Sequence, residues 1–226
     1  MSDEKKRVVI LANGVLNEPE MVRETIRNDD IILAADGGTL HALELNLLPH
    51  IVIGDFDSLD EIVQTRLRCS GVKLIQHPAQ KDETDLELAV LYACQLGATD
   101  IIIFAALGAR WDMTVANILL LTHPEIGKGY PNTPSITIRD GNQDLFLIRP
   151  GYRRTIHGNI GDTVSLIPMM GDVQGVVTEG LEYPLHKEIL RFGTTRGISN
   201  VVQNENIYIK LEAGLLLCVV NHTIHH

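Results

Sequence analysis

The first half of the chain alternates short apolar runs with longer stretches of helical period. Residues 8–12, 31–35, 51–53, 72–75 and 101–105 are dominated by Val, Ile, Leu and Ala. Runs this apolar suit strands covered on both faces. Between them, residues 19–27, 40–45, 60–68, 82–96 and 114–121 read as helices. Strand–helix alternation of this kind predicts a parallel, doubly wound sheet. The texture changes after residue 124. Residues 127–134, rich in Gly, Pro and Asn, read as a linker or long loop. Short apolar runs follow at 135–139, 144–148, 163–168, 173–178, 207–211 and 215–220, punctuated by pairs such as Gly141-Asn142, Gly161-Asp162 and Gly171-Asp172. Turn signals roughly every ten residues predict an all-β sandwich or barrel. The expected organisation is an α/β domain over 1–134, built on a doubly wound, mostly parallel sheet, followed by an all-β sandwich domain over 135–226.

Composition narrows the function classes. The chain has 226 residues, 45% hydrophobic and 21% charged, which is ordinary for a globular protein. A net charge of −10 argues against non-specific nucleic-acid binding, which needs a basic footprint. It does not argue against a nucleotide whose charge a cation offsets. Residues 1–7 are mixed in charge and lack a signal-peptide h-region, and no apolar run approaches the roughly 18 residues of a membrane span. Cys69, Cys94 and Cys218 are odd in number and have no metal-ligand spacing. Thiols in a reducing compartment are the simplest reading, so the expected location is cytoplasmic.

The chemistry lies where strands give way to helices. Asp36-Gly37-Gly38 follows the 31–35 run, and Gly54-Asp55-Phe56-Asp57-Ser58 follows 51–53. Lys81-Asp82-Glu83-Thr84-Asp85 comes after 72–75 and opens the next helical stretch. In an open α/β sheet, the loops leaving the carboxyl ends of the strands converge on one crevice. Five aspartates gathered there would repel one another unless a cation is present. Mg²⁺ takes hard oxygen ligands and usually sits on one or two carboxylates plus substrate phosphates. The pattern therefore points to a Mg²⁺–nucleotide site.

Each motif also has a plainer reading. Asp55 and Asp57 face the same side if extended geometry persists, yet an Asp/Ser turn before a helix looks similar. Asp82 and Asp85 at a helix start fit ordinary N-cap chemistry as well as metal binding. Lys81 would supply a cation to a phosphate. Gly37 and Gly38 allow a tight turn with exposed amides at a helix start, which favours anions. In Leu107-Gly108-Ala109-Arg110-Trp111-Asp112, Arg110 can hold a phosphate bidentately. Asp112 can bond a sugar, orient Arg110 or cap the helix; alternatively the pair only braces the loop. Asn117 can face the crevice, and Trp111 can stack on a cation or simply pack. There is no Gly-x-Gly-x-x-Gly or Walker A sequence, and Ser58 lacks the Gly-x-Ser-x-Gly context of a nucleophile.

Taken in order, Ala35 to Gly38, Gly54 to Ser58, Lys81 to Leu86, and Leu107 to Asp112 with Ala116-Asn117 resemble the thiamine pyrophosphokinase family. The resemblance continues through Gly180-Leu181-Glu182-Tyr183-Pro184-Leu185 and Gly197-Ile198-Ser199-Asn200, and so covers essentially the whole chain. It implies an N-terminal nucleotide domain, a C-terminal β-sandwich and a homodimer with thiamine sites between subunits. It implies that Asp55, Asp57, Asp82 and Asp85 are the metal and catalytic carboxylates. Asp36, Lys81, Thr84, Arg110, Asp112 and Asn117 would line the ATP side, and Ser199 and Asn200 would contact thiamine from the partner subunit. Three positions depart from the family pattern: Ala109 stands in place of a second glycine, Met113 in place of a histidine, and Val201 in place of an acidic residue.

The reaction implied by the resemblance is transfer of a diphosphoryl group from ATP to the hydroxyl of thiamine, giving thiamine diphosphate and AMP. Three other readings fit parts of the pattern. They are a diphosphokinase for another hydroxymethyl heterocycle such as a pterin, a Mg²⁺-dependent phosphohydrolase, and a non-catalytic nucleotide-binding module.

Overall fold

The structure, a computed structural model, describes residues 5–108, 110–126, 128, 133–151 and 153–223. Ala109, most of the expected 127–134 linker and the last three residues lie outside the described set. The chain divides into two compact units, Met1–Gly141 and Asn142–His226.

In the first unit, strands β1 (Arg7–Leu11), β2 (Ile31–Ala35), β3 (Ile51–Gly54), β4 (Lys73–Gln76), β5 (Asp100–Phe104) and β6 (Ser135–Asp140) run with helices α1 (Pro19–Thr25), α2 (Gly38–Glu44), α3 (Glu61–Cys69), α4 (Asp85–Gln95) and α5 (Trp111–Leu120). The strands pair in the order β6–β5–β1–β2–β3–β4, every pairing parallel. Val8, Val9, Ile10 and Leu11 are all at 0% exposure, so β1 is covered on both faces, as its unbroken apolar run requires. On one face Val9, Leu11, Ile32 and Phe104 form a core with Val22 of α1, Ala42 of α2 and Leu45 just after it. The alternate residues Val8, Ile10, Leu33, Ile101 and Ile103 are equally buried, and α4 packs on β1, β2 and β3.

Three details differ from the sequence reading. β4 is the last strand in the order, with Lys73 and Gln76 exposed, because its run holds too few apolar residues to be covered on both faces. β6 was expected to open the all-β domain, beyond a boundary at 134/135. It pairs in parallel with β5 and belongs to the first unit. Its alternating burial looks antiparallel; the register Ile136↔Ile101 and Ile138↔Ile103 reveals its place. Finally, α4 starts at Asp85, with the Thr84 hydroxyl accepting from the Glu87 amide at 3.2 Å. Lys81 to Glu83 therefore precede the helix, and Asp82 does not share a helix face with Asp85.

The chain builds β1 to β4 outward in one direction, then returns to place β5 on the far side of β1. The switch point lies between β1 and β5, where open α/β sheets bind their ligands.

The second unit contains β7 (Gln143–Ile148), β8 (Arg154–His157), β9 (Thr163–Pro168), β10 (Val173–Glu179), β11 (His186–Leu190), β12 (Asn200–Val201), β13 (Asn206–Lys210) and β14 (Leu216–Asn221). They pair antiparallel as β12–β9–β14–β7 and as β11–β10–β13–β8. Both sets bury their inner residues in one cluster that includes Phe146, Val164, Val176, Ile207, Ile209 and Leu216. This is the expected β-sandwich. Among the described residues, no helix is long and apolar enough to cross a membrane.

Candidate active site

A cleft of about 390 Å³ opens at the carboxyl ends of the first unit's strands. That is the size of a small-molecule site. Ala12, Asn13 and Gly14 after β1, Asp36 after β2, Asp55 after β3 and Gly108 and Arg110 after β5 all line it. Lys81 and Thr84 come from the loop between β4 and α4, Asp85 from the first turn of α4, and Met113 and Asn117 from α5.

The backbone at these strand ends is unusual. Asp36 (φ 44°), Phe56 (φ 67°) and Ala105 (φ 54°) are all left-handed. Such conformations are uncommon for residues other than glycine and cluster where function requires them. The turn after β2 also presses against β1. A Cβ on Gly38 would lie 2.0 Å from the Leu11 carbonyl oxygen, and one on Gly37 would lie 2.3 Å from the Asn13 side chain. The glycines are needed for close approach. The expected display of amides is reduced, because Thr39 N–H donates to Asp36 O and Leu40 N–H to Gly37 O.

The carboxylates gather because β2 and β3 are neighbours. Ala35 pairs with Ile53, so Asp36 sits beside Gly54 and the Asp55 loop. A Cβ on Gly54 would lie 2.9 Å from Asp36 Cβ, which accounts for the glycine. One oxygen from each of Asp36, Asp55 and Asp57 falls within 4.8 Å of the others. Asp36 is 6% exposed, yet its Oδ1 has no protein donor. Burying an unpaired carboxylate oxygen is costly. An all-oxygen donor set with one orphaned, buried oxygen fits a hard divalent cation.

The structure does not bring Asp82 or Asp85 into that group. Asp82 is exposed on its loop. Asp85 lines the same cleft, with its Oδ1 2.9 Å from Lys81 Nζ, an ion pair out of hydrogen-bond alignment. Thr84 caps α4. Arg110 and Asp112 form an exposed ion pair, with Nε donating to Oδ1 at 3.1 Å. The hydrogen bonds of that pair, ahead of simple charge attraction, raise the arginine pKa and lower that of the aspartate. Arg110 lines the cleft and Asp112 does not. Asn117 is buried, and its Nδ2 donates to the Ala106 carbonyl at 2.6 Å, bracing the loop after β5 from beneath. Trp111 does not pack; it is 84% exposed.

In the second unit, Ser199 is exposed with φ 58°, and its amide donates to Ser165 Oγ at 3.0 Å. The Asn200 side-chain amide is held at both ends by Tyr183, accepting from its N–H at 3.0 Å and donating to its carbonyl at 2.7 Å.

Sequence reading missed the loop after β1. Asn13 and Gly14 lie at the switch point. Gly14 N–H donates to the Ala105 carbonyl at 2.7 Å, and His41 Nε2 is 3.0 Å from the Gly14 oxygen. A carbonyl only accepts, so Nε2 must carry the hydrogen. An Asn-Gly pair directly after the first apolar run was the available signal.

Comparison with known proteins decides what such a cleft belongs to. Residues 22–130 match the model of the thiamin pyrophosphokinase catalytic domain, and residues 153–216 match that of the thiamin pyrophosphokinase vitamin B1 binding domain. The chain belongs to the thiamin pyrophosphokinase family. The thiamine pyrophosphokinase of Bacillus subtilis is 28% identical over 215 residues, covering 95% of this chain and 98% of that one. The crystal structure of a Bacillus subtilis thiamine pyrophosphokinase superposes with a TM-score of 0.84 at 25% identity, over 97% of this chain and 100% of that one. That of a Geobacillus thermodenitrificans thiamin pyrophosphokinase gives 0.81 at 26% identity, over 96% and 98%. The two thiamin pyrophosphokinase modules follow one another as the two structural units do. With the catalytic module on the aspartate-lined cleft, the family's reaction, rather than a pterin diphosphokinase, a phosphohydrolase or a silent nucleotide module, is the function that fits.

Proposed function

We propose that this chain transfers the diphosphoryl group of Mg²⁺–ATP to thiamine in one step, on the cleft at the carboxyl ends of β1, β2, β3 and β5. The observation that carries the proposal is the carboxylate group of Asp36, Asp55 and Asp57 with its buried, unpartnered oxygen, set in the region that matches the catalytic-domain model. The thiamine hydroxyl oxygen forms a bond to the β-phosphorus, the bond from that phosphorus to the α-β bridging oxygen breaks, and AMP leaves. The hydroxyl proton passes to a carboxylate, Asp57 or Asp85.

Asp55 and Asp57, joined by Asp36, would hold Mg²⁺, with Asp85 on the same cleft and Asp82 on the loop before α4 adding acidic charge nearby. Bound there, Mg²⁺ supplies charge neutralisation to the phosphate oxygens. Lys81 and Arg110 add fixed positive charge along the triphosphate, and Thr84, Asp112 and Asn117 hold their loops in place. Little covalent chemistry is asked of the protein; positioning and electrostatics do the work. The acceptor side is completed in a homodimer, with Ser199 and Asn200 of a second copy contacting thiamine. We place the enzyme in the cytoplasm; Cys69, Cys94 and Cys218, none of them in a disulfide, support that location.

The test is AMP release from Mg²⁺–ATP by the purified chain, with and without thiamine, while thiamine diphosphate is followed in parallel. One-for-one appearance of the two products, only when both substrates are present, is expected. ATP breakdown that ignores thiamine would overturn the transfer reading in favour of hydrolysis. An Asp55→Ala chain with near-normal turnover would overturn the metal assignment.

A further inference from the structure

The two oxygens of Asp36 are treated differently. Oδ2 accepts a hydrogen bond from Ser58 Oγ at 2.5 Å, while Oδ1 is buried with no protein donor. Ser58 belongs to the loop after β3 and reaches back to the end of β2. It has no part in starting the next helix, since α3 is capped by Asp60, whose side chain accepts from the Val63 amide at 2.8 Å. Its hydroxyl is also 3.3 Å from Asp57 Oδ1. A hydroxyl has one hydrogen to give, and the shorter contact assigns it to Asp36. Ser58 thus stands between two of the three clustered carboxylates.

We propose that Ser58 is a positioning residue for the metal site. Its hydroxyl pins one oxygen of Asp36, stops the carboxylate from rotating and leaves Oδ1 as the oxygen offered to the divalent cation. The inference rests on the reading of Asp36, Asp55 and Asp57 as metal ligands. A free carboxylate can present either oxygen or both, and in a cluster of like charges it would turn away. A hydrogen bond from outside the ligand set removes that freedom, and partners of this kind typically contribute about 10- to 100-fold in metal affinity. Ser58 never touches the reacting atoms in this scheme; it acts through Asp36.

The test is direct Mn²⁺ binding to the nucleotide-free protein, followed by the electron paramagnetic resonance signal of free Mn²⁺, on the parent chain, Ser58→Ala, Ser58→Cys and Ser58→Thr. Circular dichroism checks that each is folded. Ser58 is exposed overall, so a methyl group can be accommodated. The expected result is about 10- to 100-fold weaker Mn²⁺ binding for Ala and for the poor donor Cys, with Thr close to the parent. In turnover, the Mg²⁺ concentration for half-maximal rate should rise by the same factor in Ser58→Ala, while kcat at saturating Mg²⁺ changes far less. If the parent makes thiamine diphosphate and Ser58→Ala binds Mn²⁺ equally well, the positioning role is overturned and the metal site stands. A loss that Thr does not restore overturns it too. A parent chain that binds no Mn²⁺ removes the metal site and this inference with it.

Discussion

Strand β2 is bracketed by two buried aspartates, and the protein treats them in opposite ways. At its start, Asp30 is 4% exposed and fully engaged. Arg7 Nε donates to Oδ1 and a terminal Arg7 nitrogen to Oδ2, both at 2.6 Å, and the Arg27 amide donates to Oδ2 at 2.7 Å. Burial alone would push the Asp30 acid up, but the Arg7 hydrogen bonds and the Arg27 amide outweigh it and hold the pKa below the usual carboxylate value. At the end of the strand, Asp36 is almost as buried, lies in a left-handed backbone conformation and keeps one oxygen without a partner. Buried polar groups in folded proteins are nearly always paired. The amino end of the sheet obeys that rule and is structural, whereas the carboxyl end breaks it where a ligand would restore it. Asp162 in the second unit sides with Asp30. It is 0% exposed, and accepts from the Thr223 amide at 2.7 Å and the Asn159 amide at 2.9 Å, with His222 Nδ1 at 3.0 Å.

The contrast breaks most visibly under neutralisation of Asp36. Asn tolerates the left-handed backbone, so Asp36→Asn should fold with an unchanged or raised urea midpoint. Its rate of thiamine diphosphate formation should fall by about 10²-fold or more, the usual scale for losing one electrostatic group at a reacting centre. A strongly lowered midpoint with retained activity would make Asp36 a structural residue. The reverse is expected of Asp30→Ala. It leaves the largely buried Arg7 guanidinium without its carboxylate and with the Thr25 carbonyl at 2.7 Å as its remaining acceptor, and breaking such a pair costs about 3–5 kcal/mol. Activity per folded molecule should be unaffected, which chemical unfolding and turnover at low temperature can separate.

Smaller effects should come from pH. The Asp144 hydrogen bond, opposed by burial and helped by Asp162, raises the His222 pKa above 6.5. The protonated histidine is therefore favoured by folding. Its contribution is complete below pH 6.5 and fades as the pH climbs through the raised value. Asp162 runs the other way. Burial would raise its pKa, but the amides of Thr223 and Asn159 and the imidazole hold it below 3.8, so its contribution is present above that pH and fades as the pH falls through the lowered value. Thermal melts between pH 6 and 9 should show a decline that His222→Gln flattens. An unchanged slope would remove His222 from the account.

How far the molecule could be read from its residues follows from the same contrast. The covered strands β1, β2, β3 and β5 were legible because their apolar runs have no other use. β8 and β11 were not: Arg154-Thr155-Ile156-His157 and His186-Lys187-Glu188-Ile189-Leu190 each bury a single residue. Their pairing with β13 and β10 makes them strands where composition does not. The carboxylates were legible as a set, but not their grouping. That Asp36 joins Asp55 and Asp57 depends on β2 lying next to β3, and strand order is not written in local pattern. That Asp82 stays outside depends on Thr84, rather than Asp82, capping α4.

Trp111 carries a practical consequence. It is the chain's single tryptophan, it is 84% exposed, and it follows Arg110, which lines the cleft. An indole already in water has little further to travel when the chain unfolds, so its emission should shift only slightly in denaturant and would underreport the transition. The same placement puts the fluorophore beside the triphosphate's expected seat. Quenching or enhancement on adding nucleotide would follow occupancy of the site in real time, without label or coupled assay.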